Sequence, residues 1–242
     1  MDNPDHKVSS VSAGSKLRVV RVWDAPTRLF HWLLVILVAV SLYTGNVGGL
    51  AEMDWHMLSG YAILTLVAFR VVWGLIGSHH SRFRTFVRGP MAIGRYLVSF
   101  IRGPYRPTVG HNPLGGWSVV AMLAALLVQA VTGLFANDDI LTEGPLASSV
   151  SEATSNTLTA VHELNALVLY GLIAVHIAAI AIYLVVKKQN LIAAMISGRK
   201  LIPPNASDND ERAGTDGTFT SSLIALAVAA ACGGAVWALV SL

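Results

Sequence analysis

The sequence predicts an all-α integral membrane protein, a four-helix transmembrane bundle with an additional C-terminal fifth transmembrane helix. Three observations predict it. The chain is 54% hydrophobic and only 13% charged, with a mean hydropathy of +0.58, where an average soluble domain carries roughly 25% charged residues. Its apolar residues come in five blocks, each near the roughly 20 residues that a helix rising ~1.5 Å per residue needs to cross a bilayer. All 17 Lys and Arg fall on one side of a single consistent topology.

Residues 1–28 are polar, carry Lys7, Lys16, Arg18, Arg21 and Arg28, and are not followed by a cleavage site and a soluble protein. They read as a cytoplasmic tail rather than a removable leader. The first span covers residues 29–45 and the second residues 57–77, with Arg70 in the half of the second that lies nearest the basic side. The connection before the third span, residues 115–136, holds Arg82, Arg84, Arg88, Arg95, Arg102 and Arg106. Within it MAIGRYLVSFIRG is amphipathic and reads either as a helix lying on the inner membrane surface or as an ordinary cytoplasmic linker. The fourth span, residues 158–186, is long enough to require tilt or projection beyond the bilayer, and Lys187, Lys188, Arg199 and Lys200 follow it.

Polar residues 203–217 (PPNASDNDERAGTDG, with Arg212) lie within a flexible cytoplasmic tether, residues 201–221. The fifth span, residues 222–242, is therefore an element appended to a core of residues 29–200. No internal repeat stands out. The lone Cys232 lies in the last span, which leaves no disulfide framework and no thiolate metal site.

The connections 46–56 and 137–161 contain no Lys or Arg but do contain Glu52, Asp54, Asp138, Asp139, Glu143 and Glu152. By the positive-inside rule the amino terminus is cytoplasmic and the carboxyl terminus outside. The net charge of +3 is then a topology signal set in membrane lipid, and nothing calls for a nucleic-acid partner.

Eight histidines separate into two groups. His6, His79, His80 and His111 fall in cytoplasmic or interfacial segments. His31, His56, His162 and His176 lie in or at the ends of spans, where an ionisable group is costly and by default a functional candidate. His162 and His176 are 14 residues apart, which puts them roughly 21 Å apart along one helix and within about 40° of the same face. Two sites stacked across one membrane follow. His56 enters from the outside as His162 does, while His31 lies toward the inside as His176 does, so the predicted pairs are His56 with His162 and His31 with His176.

Zinc and copper usually take three or four clustered ligands, whereas two opposed imidazoles suffice for a flat macrocycle between helices. The expected cofactors are therefore two haem b groups. Gly60, one turn after His56, and Gly171, between His162 and His176, would let such a ring approach or would serve helix packing. Arg70 lies 14 residues after His56, level with the inner site, and suits a haem propionate or snorkels to the interface.

Taken in order, VWDAPTRLFHW, WHMLSGY, FRVVWGLIGSHHSRF, GHNPLGGW, VHELNALVLYGLIAVH and KKQNLIAAMISGRK resemble the prokaryotic cytochrome b561 family. The closest branch in pattern is the b-type cytochrome subunit of nickel-iron hydrogenases. The resemblance runs from about Val19 to Lys200 and implies a four-helix dihaem bundle in the bacterial inner membrane. Its ligand histidines fall on His31, His56, His162 and His176. It also implies quinone or quinol as the membrane redox partner, and a periplasmic c-type cytochrome or oxidoreductase subunit as the external one. The fifth span departs from the simplest four-helix pattern.

The expected function is electron transfer across the membrane, with no acid, base or nucleophile constellation for further chemistry. A quinone site would draw on His79, His80, His111 and Asn112 on the cytoplasmic side. The competing readings are a self-contained quinone oxidoreductase, such as a superoxide:quinone oxidase, and a transporter or proton channel. The latter is disfavoured by the absence of intramembrane Asp and by a single buried-depth Glu, Glu163. The sequence leaves a homo-oligomer open.

Overall fold

The computed structural model describes residues 18–103, 108–138, 142–202 and 219–242. The expected tail before residue 18, most of the expected tether, Arg106, Asp139 and Arg212 lie outside the described residues. The chain opens with strand β1 (Arg18–Arg21) and then forms α1 (Ala25–Val47), α2 (Leu50–Ile76) and a 3-10 turn at His79–Ser81. The short α3 (Phe83–Phe86) and α4 (Pro90–Arg102) follow, then α5 (Pro113–Gly133) and the 34-residue α6 (Glu152–Val185). After α6 come α7 (Leu191–Ser197), strand β2 (Arg199–Ile202) and α8 (Ser222–Val240). Five of these helices, α1, α2, α5, α6 and α8, are long and apolar enough to cross a membrane.

The helices begin earlier than the apolar blocks suggest, and the caps explain why. The α1 helix starts at Ala25 rather than at residue 29 because Asp24 caps it, its Oδ1 accepting from Thr27 N at 2.9 Å, with Pro26 in the first turn. Gly48 and Gly49 at φ 70 and 99 turn the chain directly into α2, which starts at Leu50 rather than at residue 57. Asn112 caps α5 and Ser151 caps α6, moving their starts to Pro113 and Glu152 instead of residues 115 and 158. Polar first turns of this kind are invisible to hydropathy. At the other ends α5 stops at Gly133 and α8 at Val240, short of the expected residues 136 and 242.

The α2 helix is the centre of the assembly. It packs along α1, α5 and α8, α6 packs along α5, and α6 does not pack closely on α1 or α2. Val67 and Trp73 of α2 are fully buried, with Ile63, Phe69, Phe30, Leu123, Leu126, Leu169 and Ala225 around them. The outward faces of the spans remain apolar and exposed, including Leu29, Leu75, Leu167 and Leu223. Such surface suits lipid and not water. The α8 helix is seated on α2, with Thr220 N donating to Ser78 Oγ at 3.1 Å and the Arg21 guanidinium over the Phe219 ring at 4.2 Å.

One end of the bundle, where α1 and α5 begin and α2 and α6 finish, is basic. It is closed by the antiparallel pairing of β1 with β2, in register Val19↔Leu201 and Val20↔Lys200. Val20, Val22 and Trp23 are buried there with Val109 and Met195 against them. Gly198 makes this closure possible. It ends α7 at φ +77, and its carbonyl accepts from Val22 N at 2.8 Å and Trp23 N at 3.2 Å. A Cβ on Gly198 would stand 2.6 Å from the Trp23 carbonyl. Gly198→Ala is therefore expected to destabilise the protein by about 2 kcal/mol, from the left-handed backbone and the forced contact together. Thermal unfolding in detergent followed by circular dichroism checks this, and an unchanged midpoint would contradict it.

Candidate functional site

The bundle interior holds two pairs of facing imidazoles, one toward each end. His56 and His162 have ring centroids 6.1 Å apart, and His31 and His176 have theirs 6.5 Å apart. Two imidazoles sharing one metal ion at about 2.0 Å per bond have ring centres about 6 Å apart. Among the described residues no three His, Cys, Asp or Glu side chains gather in one place. The donor set is thus two opposed nitrogens per site, which suits bis-imidazole ligation of a haem and not a tetrahedral ion.

His56 and His162 are held by the same local device. Near the end of α1 the sequence reads Val40-Ser41-Leu42-Tyr43-Thr44-Gly45, and near the end of α5 it reads Val128-Gln129-Ala130-Val131-Thr132-Gly133. The His56 Nδ1 lies 2.9 Å from the Ser41 carbonyl, and the His162 Nδ1 lies 2.9 Å from the Gln129 carbonyl. A carbonyl oxygen can only accept, so each Nδ1 carries the proton and each Nε2 keeps its lone pair. The ring of each histidine rests on a glycine, because a Cβ on Gly45 would meet His56 Cε1 at 2.8 Å and one on Gly133 would meet His162 Cε1 at 2.9 Å. Thr44 and Thr132 turn their hydroxyls back onto the same helices, donating to the carbonyls of Val40 and Val128 at 2.8 and 2.7 Å. This short repeat joins α1–α2 to α5–α6 as equivalent pairs and corrects the reading of a chain without internal repetition. Its signal in the sequence was the spacing V-[S/Q]-x-x-T-G at the ends of the first and third spans.

The basic-end pair is built differently. His31 follows the Asp24 cap by seven residues and stacks edge-on with Trp32 at 5.0 Å, while its Nδ1 is buried without a hydrogen-bond partner. Below it Asp24, buried almost completely, accepts from Trp73 Nε1 at 3.0 Å and Ser81 Oγ at 3.4 Å. Arg70 is 2% exposed, lies over the rings of Phe83 and Phe86, and keeps Nη1 buried with no partner. An unpartnered buried guanidinium nitrogen is costly, and it is the feature of this end that fits a carboxylate such as a propionate.

Of the basic-end residues expected at a quinone site, His111 is the most enclosed. Its ring lies between Trp23 and Phe86 at 4.7 and 4.6 Å, and its Nδ1 is shut off from solvent and unpartnered. Burial first, then the charges of Arg70, His80 and Lys200, push its pKa down to about 3, so the imidazole stays neutral at physiological pH. Lys200, whose ammonium donates to the Thr108 carbonyl at 2.7 Å, is pushed down to about 8 by burial. His79 and His80 stack edge-on at 5.0 Å just past α2. Asn112 has both ends of its amide in structural use, capping Gly115 N at 2.7 Å and donating to Tyr183 Oη at 2.8 Å. Gly60 and Gly171 face open space, since a Cβ on either would meet nothing within 4 Å. They therefore do not serve as helix-packing positions within the described chain.

Comparison with known proteins agrees with this architecture. A model of the family described as prokaryotic cytochrome b561 matches residues 22–198. The chain is 26% identical to a probable Ni/Fe-hydrogenase B-type cytochrome subunit of Rhizobium leguminosarum bv. viciae, over 75% of this chain and 89% of that protein. It is 24% identical to one of Azotobacter chroococcum, over 80% and 93%. Against the probable Ni/Fe-hydrogenase 1 B-type cytochrome subunit of Escherichia coli K12 it is 23% identical, over 46% and 57%. No solved structure matches the chain significantly.

Proposed function

Because the chain belongs to the prokaryotic cytochrome b561 family, and is thus a membrane protein of haem b electron transfer, we propose that it carries two haem b groups. On this reading it passes electrons across the bacterial inner membrane between the quinone pool and a periplasmic redox partner. The observation that carries the reading is the pair of imidazole pairs, 6.1 and 6.5 Å between ring centroids, on helices that span the bilayer. Haem iron would supply the electron-carrying centre, and two imidazoles at each site would suit it to electron transfer rather than oxygen binding.

The chain's own residues supply ligation, orientation and insulation. His56 and His162 hold the acidic-end group and His31 and His176 the basic-end group. The Ser41 and Gln129 carbonyls fix the tautomer of the first pair. Gly60 and Gly171 leave room beside the ligand helices, and Arg70 receives a propionate. The apolar faces of α2, α5 and α6 keep water away from the path.

By the positive-inside rule we read the basic end as cytoplasmic and the carboxyl terminus of α8 as periplasmic. At the basic end α4 lies on the inner membrane surface, with Met91, Val98 and Ile101 in the lipid and Arg95 and Arg102 at the headgroups. Quinone meets the basic end near His79, His80 and His111. The His111 imidazole, held neutral by burial, is suited to hydrogen-bond a quinone oxygen rather than to carry the proton. The acidic end, free of Lys and Arg, receives a hydrogenase-like oxidoreductase subunit or a c-type cytochrome. The relatives' names motivate the first of these.

A reduced-minus-oxidised absorbance spectrum of the detergent-purified chain, with pyridine haemochrome analysis, tests the proposal. Two haem b per polypeptide with sharp low-spin bands is the expected result. A well-folded preparation that takes up no haem would overturn it.

A further inference from the structure

The four histidines are not equivalent in their surroundings, and the difference runs one way along the bundle. At the acidic end both imidazoles give their Nδ1 proton to a main-chain carbonyl at 2.9 Å. At the basic end His31 Nδ1 is buried with no partner, and no described glycine offers His31 or His176 a surface like those of Gly45 and Gly133. A ligand imidazole whose far N–H is hydrogen-bonded is a stronger donor and stabilises the more highly charged ferric state. The fixed charges act in the same sense. Glu52, Asp54, Asp138, Glu143, Glu152 and Glu163 accompany the acidic-end pair, whereas the buried Arg70, with Asp24 opposing it, and the enclosed Lys200 accompany the basic-end pair and leave it the more positive. Positive charge near a site favours the state that holds the extra electron, and negative charge favours the state that lacks it.

We propose that the repeated V-[S/Q]-x-x-T-G cradles, through the Ser41 and Gln129 carbonyls, make the His56/His162 site the lower-potential centre, and that a single electron on the chain rests at the His31/His176 site. The inference depends on the dihaem reading above. Ser41, Gly45, Gln129 and Gly133 are positioning residues in it. They act on the metal only through the imidazoles. Thr132 completes the cradle, its hydroxyl donating to Val128 O and lying 3.1 Å from the Gln129 carbonyl and 3.3 Å from His162 Nδ1.

A spectroelectrochemical titration of the full-length haem-loaded protein, with the haem count determined on the same sample, tests this. Two waves are expected. Gly133→Ala, whose Cβ would stand 2.9 Å from His162 Cε1 and 3.2 Å from Nδ1, pushes the ring off the carbonyl and should move the lower wave upward and leave the upper one in place. Gly45→Ala, whose Cβ would stand 2.8 Å from His56 Cε1 and 2.9 Å from Nδ1, acts on the other imidazole of the same site and should move the same wave in the same direction. Gly234→Ala in α8, which meets nothing within 4 Å, should move neither. A general loosening of the bundle would not single out the lower wave in both variants. If Gly133→Ala cannot hold its haem, Gly45→Ala decides alone. Two haems whose upper wave responds, or whose waves do not respond at all, would overturn the cradle proposal with the dihaem reading intact. A haem count below two in the unmodified chain would instead overturn the dihaem reading, and this inference with it.

Discussion

Replacing His162 with alanine is expected to halve the haem b content of the purified protein while leaving the basic-end haem spectrally normal. On the proposed ligation His162 would be one of two donors at its site, and His56 alone, across a 6.1 Å gap between ring centroids, offers a single nitrogen. The second site should survive because His176 stands 14 residues further along the same helix, roughly 21 Å away by helix rise. No residue of the Gln129–Thr132–Gly133 cradle reaches that far. The mirror experiment, His176→Ala, should remove the other haem. Combining His56→Ala with His162→Ala should cost no more haem than either alone, since the two act on one site. Pyridine haemochrome analysis gives the count, and low-temperature spectra show which component remains. Loss of both haems from a folded His162→Ala protein, or loss of one haem by His56 acting with His176, would defeat the pairing.

The second large effect is expected at Asp24, which touches no proposed cofactor. Its carboxylate caps α1 through Thr27 N at 2.9 Å and accepts from Trp73 Nε1 at 3.0 Å and Ser81 Oγ at 3.4 Å. It is also the negative charge that acts on buried Arg70. Removing a cap costs about 1 kcal/mol and a buried hydrogen bond to a charged group about 1.5–3 kcal/mol. Leaving the Trp73 indole N–H and the Arg70 charge uncompensated adds to this. Asp24→Ala is therefore expected to destabilise the protein by about 3–5 kcal/mol, with Asp24→Asn about halfway because its amide oxygen can still cap. Unfolding in detergent, followed by circular dichroism on both variants, measures this. A loss below about 1 kcal/mol for alanine would show that solvent or a neighbouring group replaces the carboxylate.

Composition and charge order were enough to read the fold class. Five apolar blocks and a one-sided distribution of Lys and Arg admit little else, because lipid forces each crossing segment to satisfy its own backbone. The histidine pairs were legible for a related reason. A strand or loop would scatter residues 162 and 176, but on a helix that must span the membrane their separation is fixed, and the direction of each crossing decides which histidine each can meet. In the structure the rings that face each other are those of His56 with His162 and of His31 with His176.

What hydropathy could not show was polar structure at the helix ends and between distant segments. The first turn of α1 and the first six residues of α6 lie outside the apolar blocks, and their caps, Asp24 and Ser151, carry the helices into them. The closure of the basic end joins Arg18–Arg21 to Arg199–Ile202, segments too short and too far apart for any local pattern to pair. The enclosure of His111 by Trp23 and Phe86 depends on that closure. The seat of α8 on α2 is likewise a matter of which face α1 and α5 leave uncovered.

The sequence by itself determined the number of spans and the residue types that stand within them, since both follow from transfer of side chains and backbone into lipid. Tertiary structure alone decided which nitrogen of His56 and of His162 is free. That choice belongs to the carbonyls of Ser41 and Gln129, main-chain atoms present at every position and distinguished only by the neighbouring glycines that let an imidazole reach them.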